Sequence, residues 1–380
     1  MSERNERIKR GQEKRGKKKK SVWKIVVIAI LALLLLIFGV AYGILKYYHS
    51  LLDYQPDRDP EDVLETMLES IEEESEDEPL ETPASEDEIE SLEQELEENA
   101  ASNAETQEAE VNPVEHVYNL LLIGVDSRSN NFSGRSDTMI LISINQENKK
   151  IVATSLLRDT YVSIPGRQAN RLNASYAYGG MPLLKETIRV NYGIRVDRCV
   201  VVNFALVMDF VDALGGVDIH VSSAEVAAMN ENLGVQNALL GRDHNRDKLP
   251  AGTNGMVHLN GQQAVGFARI RSVGNADFGR TERQREILVQ CFQKIRGLSL
   301  GQMNDLAHAF LPRVRTDISE ADCIYLLSLL VEVLGYEIDT LSLPISGSYV
   351  GKNIRGMSVL SVDFAPNTAA WIKAVTGGAE

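Results

Sequence analysis

Residues 118–157 read YNLLLIGVDSRSNNFSGRSDTMILISINQENKKIVATSLL, and this stretch decides the fold class. Tyr118–Val125 is an apolar run of buried-strand length, and Thr138–Ile144 and Ile151–Leu157 repeat it across a turn at Gln146–Lys149. Strands this apolar need cover on both faces. The cover follows in the chain. Met181–Tyr192, Phe204–Leu214, Gln262–Arg269 and Glu282–Gly297 read as helices, and Ser319 is placed to cap another that runs to Leu334. Further strands fall at Cys199–Asn203 and Val217–Val221. Strands alternating with helices predict one three-layer α/β domain.

Charged residues gather where these runs end. The acids are Asp126, Asp137, Asp159 and Asp277; the bases are Arg128, Arg135, Arg158, Arg269, Arg271, Arg280 and Arg283. Open α/β sheets place ligands at the ends of their strands. Arginine's planar fork suits phosphate oxygens. Paired aspartates suit Mg²⁺, with Mn²⁺ as a second choice, because a hard cation takes oxygen ligands and keeps water and substrate phosphate. Arg280 and Gln284 are four apart, on one face at a helix start, where backbone N–H groups also favour phosphate. The competing reading of each acid is a salt bridge to a neighbouring arginine, and of the arginines a surface ion-pair network.

With RLNASYAYGG, VVNFALVMDFVDALGGVDI and LNGQQAVGFARIR between the charged blocks, Val117 to Gly377 resembles the LytR-CpsA-Psr family of bacterial cell-wall phosphotransferases. The resemblance implies a central mixed β-sheet flanked by helices. It implies Asp126 and Asp137 as Mg²⁺ ligands. It also implies that Arg128, Arg135, Arg158, Arg269, Arg271, Arg280 and Gln284 hold a polyprenyl pyrophosphate, with Asp126, Asp137, Arg158 and Arg269 closest to the chemistry. The reaction implied moves a glycopolymer (teichoic acid, capsule or another wall polysaccharide) from that carrier to a peptidoglycan hydroxyl. Leu157 departs from the family, which usually has proline there, and is expected to loosen the strand end. Val200–Phe210, Leu214, Ile219 and the apolar face of Ile287–Ile295 are candidates to line a carrier tunnel. Two other readings use the same groups: a hydrolase that cleaves the lipid pyrophosphate, and a non-enzymatic envelope regulator.

Charge is segregated along the chain. Residues 1–24 hold 11 Lys/Arg and three Glu, and residues 51–110 hold 25 Asp/Glu and one Arg, so the net −15 does not describe the folded part. Ile25–Leu45 is 21 residues without a charge, enough to cross ~30 Å of hydrocarbon. The basic segment before it predicts a single-pass anchor at 25–45 with residues 1–24 cytoplasmic and the rest outside the cell membrane. Residues 46–115 read as an acidic spacer, largely disordered, despite helical spacing at Ile89, Leu92 and Leu96. The catalytic domain is then 116–380. Cys199, Cys291 and Cys323 form no C-x-x-C pair and read as free thiols. There is no P-loop, zinc spacing or nucleophile elbow. An outside domain lacking a basic helix-turn-helix surface argues against nucleic acid as a partner.

Overall fold

The computed structural model describes residues 43, 45–56, 83–106, 114, 116–125, 132, 134–239 and 241–378. Met1–Ser50 forms one compact unit and Leu51–Glu380 a second. The expected anchor at 25–45 lies almost wholly outside the described residues. Among those described, no helix is long and apolar enough to cross a membrane.

In chain order the second unit contains β1 (Asp53–Tyr54), α1 (Glu86–Thr106), β2 (Val117–Val125), β3 (Ser136–Asn145), β4 (Lys150–Leu156), β5 (Tyr161–Val162) and β6 (Asn170–Arg171). It continues with α2 (Leu172–Tyr192), β7 (Arg198–Asn203), α3 (Phe204–Ala213), β8 (Val217–Val221), α4 (Ser223–Leu239), β9 (Gly255–Leu259), α5 (Gly261–Ala268), α6 (Ala276–Arg296) and α7 (Leu300–Phe310). It ends with β10 (Arg315–Thr316), α8 (Glu320–Val333), β11 (Glu337–Leu343), β12 (Tyr349–Ile354), β13 (Met357–Val362) and α9 (Phe364–Thr376).

Seven strands make the central sheet, in the order β1-β10-β7-β2-β3-β4-β11. It is mixed: β2 runs parallel to β7 and β4 to β11, while β3 is antiparallel to both its neighbours. Helices α2 and α9 cover one face, with Trp371 donating its indole N–H to Ser143 Oγ at 3.1 Å. Helix α6 packs over β4 and β11 on the other.

The two faces are not equally closed. In β2, Leu121, Ile123 and Val125 are fully buried against α2, whereas Leu120, Leu122 and Gly124 on the opposite face are half-buried. The same alternation runs through β7, where Val200 and Val202 are half-buried, and Ile142 of β3 is half-buried too. Central strands of a sheet are normally closed on both sides. Here Leu120, Leu122, Val200, Val202 and Ile142 form a half-buried apolar trough on the β7–β2–β3 face of the described residues, with Ile140, Ile144 and Tyr118 closed beside it.

Three features differ from the sequence-based expectation. First, the acidic stretch from Glu86 to Thr106 is a 21-residue helix docked on the domain. Ile89, Leu92 and Leu96 enter the main core; Asn99 and Asn103 donate to the carbonyls of Asn191 and Val190 at 2.9 and 2.8 Å. Glu86, Glu88, Glu90, Glu95, Glu97 and Glu98 face solvent and Glu93 pairs with Arg355 at 2.7 Å, so their number does not oppose the burial. Second, β8 and β9 pair outside the main sheet and share a separate core with α3, α4, α5 and α6. Leu214, Ile219 and Ile287 are closed within that core, so they do not line a carrier tunnel. Third, Leu157 does not loosen the end of β4. Its N–H donates to Leu343 O at 2.9 Å, a bond that proline cannot make.

Candidate functional site

β2, β7 and β4 all end at one edge of the sheet, and β3 starts there. That common edge gathers the charged residues. Asp137 is the second residue of β3, and Arg158 follows β4 by two. Arg158 Nη1 lies 2.6 Å from Asp137 Oδ1, and its Nε lies 3.3 Å from Asp159 Oδ2. Asp159 in turn meets Arg171 Nη1 at 3.3 Å. Burial works against the charge on Arg158, but the carboxylates of Asp159, Asp137 and Asp277 outweigh it and hold its pKa above the ordinary value.

The strand end itself is gripped from behind. Leu172 N–H donates to Thr160 O at 2.8 Å and Asn173 N–H to Arg158 O at 3.2 Å. Asn173 thus serves the site through its backbone, and Arg171, which sequence reasoning passed over, through its side chain. The signal for Arg171 was present in its place at the head of the RLNASYAYGG block.

Helix α6 brings the second half of the site. No side chain caps its N-terminus at Asn275. Arg280, one turn in, is only 4% exposed. Its Nη2 lies 3.0 Å from Asp277 Oδ1, but the approach makes no hydrogen bond, and both Arg280 Nε and Asp277 Oδ1 are buried without one. Burial pushes the Arg280 pKa down to about 10; Asp277 opposes the shift, Arg158 and Arg271 reinforce it, and Asp137 opposes it in turn. Two of the residues that act on Arg280, Arg158 and Asp137, are those of the strand edge, so the two halves form one electrostatic cluster. Gln284 Oε1, one turn further, is also buried and unpartnered. Buried polar atoms are nearly always bonded. Arg280 Nε, Asp277 Oδ1 and Gln284 Oε1 are exceptions concentrated within two turns of one helix.

Arg269 and Arg271 come from the segment between α5 and α6. Arg269 is exposed, its guanidinium 5.1 Å from the ring centroid of Phe204, the first residue after β7. Arg271 is half exposed, with Nε 3.7 Å from Asp277. Arg283 has a different role from its neighbours in sequence. It donates Nε to Glu225 at 2.9 Å, Nη1 to Ile270 O at 3.1 Å and Nη2 to Val273 O at 2.8 Å. It therefore fixes the Arg269–Arg271 segment and has no fork left for a ligand.

Asp126 and Arg128, the remaining sequence candidates, lie outside the described residues. Arg135 is half-buried one residue before β3 and forms no ion pair among the described residues. Between them, Phe132 enters the main core at 4% exposure with a left-handed φ of 50°. Its carbonyl accepts from Tyr176 Oη at 3.1 Å, and Arg315, paired with Asp53 at 2.8 Å, lies 5.0 Å over its ring. Its neighbours in NNFSG gave no sign of such an anchor.

Among the described residues, no group of three or more His, Cys, Asp or Glu side chains converges to hold a metal. Asp137 nevertheless suits a hard cation. It is partly exposed at the strand edge, and the 2.6 Å contact to Arg158 uses only Oδ1. One such carboxylate, a second acid, water and substrate phosphate make a usual Mg²⁺ set.

The sequence model of the LytR_cpsA_psr family matches residues 88–370. The chain belongs to the LytR_cpsA_psr family. The match starts inside α1, which agrees with that helix being part of the packed unit. Among its LytR_cpsA_psr relatives, a protein of Enterococcus faecalis named polyisoprenyl-teichoic acid–peptidoglycan teichoic acid transferase TagU is 32% identical over 210 residues, 54% of this chain and 63% of that one. The chain thus spans less than two thirds of that relative's length. The crystal structure of Bacillus subtilis TagT superposes with a TM-score of 0.54 at 23% identity, covering 70% of this chain and 93% of that chain. A structure described as YwtF (TagT) with bound octaprenyl pyrophosphate lipid gives 0.51 at 21% identity, covering 70% and 93%. These likenesses show the LytR_cpsA_psr fold: a mixed sheet flanked by helices.

Proposed function

We propose that this chain is a membrane-anchored phosphotransferase that moves a glycopolymer from a polyprenyl-pyrophosphate carrier to a peptidoglycan hydroxyl. One observation carries the reading. A cluster of arginines, Arg280 buried, Arg158 half-buried and Arg269 and Arg271 open to solvent, with unpartnered buried polar atoms, stands at the strand edge on which a half-buried apolar trough ends. A pyrophosphate with a long hydrocarbon tail has both chemistries at that spacing. The relative named a teichoic acid transferase and the TagT structure with octaprenyl pyrophosphate bound support it.

In this reading Arg158, Arg280, Arg271 and Arg269 bind the pyrophosphate oxygens, Arg135 and Gln284 extend the same surface, and Arg128 joins them by the family resemblance alone. Arg283 holds the Arg269–Arg271 segment in place. The acceptor oxygen bonds to the phosphorus that carries the polymer. The bond from that phosphorus to the bridging oxygen breaks, and the polyprenyl phosphate departs with the electron pair. The hydroxyl proton passes to Asp137 at the strand edge, or to Asp126. The arginines stabilise charge as it builds on the leaving phosphate, without needing to reorganise. Mg²⁺ or Mn²⁺, held by Asp137 and Asp126, would supply further neutralisation of phosphate charge.

In this reading the run Ile25–Leu45 anchors the chain in the cell membrane, with residues 1–24 cytoplasmic and the folded unit outside. Its 21 uncharged residues and the basic segment before it support this. The deciding experiment incubates the purified full chain with defined lipid-linked teichoic acid or capsule precursors, peptidoglycan and Mg²⁺. Mass spectrometry of the wall product is expected to show a phosphodiester-linked polymer. Free polymer phosphate with no wall-linked product would assign a hydrolase. No consumption of any donor would assign a binding role.

A further inference from the structure

Helix α8 has the sequence EADCIYLLSLLVEV, and its nine residues 323–331 carry no charge. Helices apolar on every side belong in a core or in lipid. This one lies on the surface of the folded unit. Leu329 is buried, Leu326 and Val333 pack on the Tyr118–Ile144–Ile151 cluster, and the Tyr325 ring sits 5.4 Å from Tyr118. At 100° per residue, Ile324 and Leu327 fall on the side away from Leu329. They are 50% and 55% exposed, and Leu330 beside them is 40% exposed. These are large side chains left in water, on one stripe, with nothing else on the helix to cover them.

Its place in the fold gives the stripe a meaning. α8 covers the starting ends of β2 and β4, on the sheet face that carries the trough. The arginine cluster stands at the opposite ends of the same strands. From Gly124 to Tyr118 is roughly 20 Å at ~3.3 Å per residue. A tail held by its phosphates at the arginines and laid along the trough therefore runs towards α8. The chain also constrains the position. Asp53 is paired to Arg315 in the sheet, eight residues after Leu45. Eight residues reach no more than about 29 Å even when fully extended. Ser319, the cap of α8, is three residues beyond the strand that receives Asp53 and Tyr54.

We propose that α8 is the surface by which the folded unit rests on the lipid bilayer, its Ile324–Leu327–Leu330 stripe inserted shallowly among the acyl chains. This rests on the reading that residues 25–45 span the membrane. The contact is apolar. The charges on α8 are Glu320, Asp322 and Glu332, all acidic and near its ends, and Asp322 is already engaged by Ser319 and by Arg198 at 2.6 Å. Docking therefore needs no anionic lipid and persists at high salt. It would set the far mouth of the trough at the lipid surface, so that a carrier tail slides from bilayer to protein without crossing water.

The test places the full chain in neutral phosphatidylcholine vesicles. Leu327→Cys, on a Cys323→Ser background, carries an environment-sensitive dye; Cys199 and Cys291 are buried and stay unlabelled. Val350→Cys, an exposed apolar site on β12, is the reference. The dye at 327 is expected to shift to the blue and to be quenched by shallow nitroxide lipids, equally at low and at 1 M salt, while the dye at 350 is not. A chain that floats with the vesicles but leaves dye 327 in water overturns the proposal and spares the anchor. A chain that does not float with the vesicles overturns both. Quenching lost at 1 M salt, or excimer formation between pyrene labels at 327, overturns it in favour of an electrostatic contact or a second copy. As a functional arm, Ile324→Glu/Leu327→Glu is expected to slow turnover at least fivefold with a long-chain donor in the bilayer. With a short-chain soluble donor it should stay within twofold. Equal slowing on both donors overturns the assignment.

Discussion

Replacing Arg280 with methionine should stabilise the fold while removing donor binding. The guanidinium is 4% exposed, its Nε has no partner, and burial holds its pKa at about 10. A free guanidinium titrates at about 12.5, and one pKa unit is about 1.4 kcal/mol. Keeping Arg280 charged in the native state therefore costs about 3 kcal/mol, with the attraction of Asp277 and the repulsion of Arg158 and Arg271 already included. The sign is that of a base whose folded pKa is depressed: at neutral pH the group is charged in both states, and the folded one carries the cost. Methionine fills a similar length without charge. Part of the gain is lost because Asp277 keeps only the longer contact to Arg271, leaving about 1–2 kcal/mol. For a domain of this size that raises Tm by roughly 2–6 °C. On the donor side, a charge-assisted hydrogen bond is worth about 1.5–3 kcal/mol, a ten- to hundred-fold loss of affinity or more. Thermal melts and a titration with a lipid-linked pyrophosphate donor measure both. A lower Tm with unchanged donor affinity would refute the reasoning and make Arg280 a structural pin.

Four other outcomes follow from the geometry. Asp137→Asn should cut Mg²⁺-dependent turnover at least a hundred-fold with little change in Tm, read by activity across a metal titration; normal turnover at limiting metal removes Asp137 from the site. Arg271→Lys and Arg269→Lys should each weaken the donor about ten-fold through loss of the bidentate fork, and a shift in Tm alone would assign them to the scaffold. Arg283→Lys breaks at least one of two buried bonds to the carbonyls of Ile270 and Val273, so it should cost about 1–3 kcal/mol of stability and weaken the donor indirectly. Leu92→Asp places a charge where α1 enters the core and should release that helix. Limited proteolysis, expected to spare the wild-type chain from about residue 83 onwards, would then cut within Glu86–Thr106; an unchanged digest would show that the docking is not needed.

Strands β2, β3, β4, β7 and β8 were readable because their apolar runs permit no other burial; β1, β5, β6 and β9 to β13 are short or interrupted by polar residues and were not. Helices α3, α5 and α6 of the second core were readable as helices and α4 was not, and period alone does not say which partner a face meets, so Leu214 and Ile219 looked available for a carrier. Arg280 and Arg283 illustrate the limit at the site. They are three apart on α6, near neighbours on the helix surface and alike in charge. What separates them is the turn at Ile270–Val273, whose carbonyls point at one and not at the other. Helix α1 shows a related limit. Ile89, Leu92 and Leu96 had the spacing of a buried stripe, but the composition around them spoke for solvent, and the side-chain amides of Asn99 and Asn103 that bind it to α2 have no signature in sequence.

The two-residue strand β1 also defines a path for mechanical load. Under the proposed function the domain is tethered at one end and joins a polymer to a rigid wall, so it is pulled whenever the wall moves relative to the membrane. Force arriving at Leu51 meets two backbone bonds, Asp53 N–H to Val314 O at 3.1 Å and Gln55 N–H to Thr316 O at 2.8 Å, and the Asp53–Arg315 ion pair. Under tension β1, held by so few bonds at the edge of the sheet, gives way before the long central strands, and Arg315 loses its carboxylate while remaining beside the ring of Phe132. The same load passes in series through the sheet that carries Asp137 and Arg158, so this weakest link caps the tension that the site can feel.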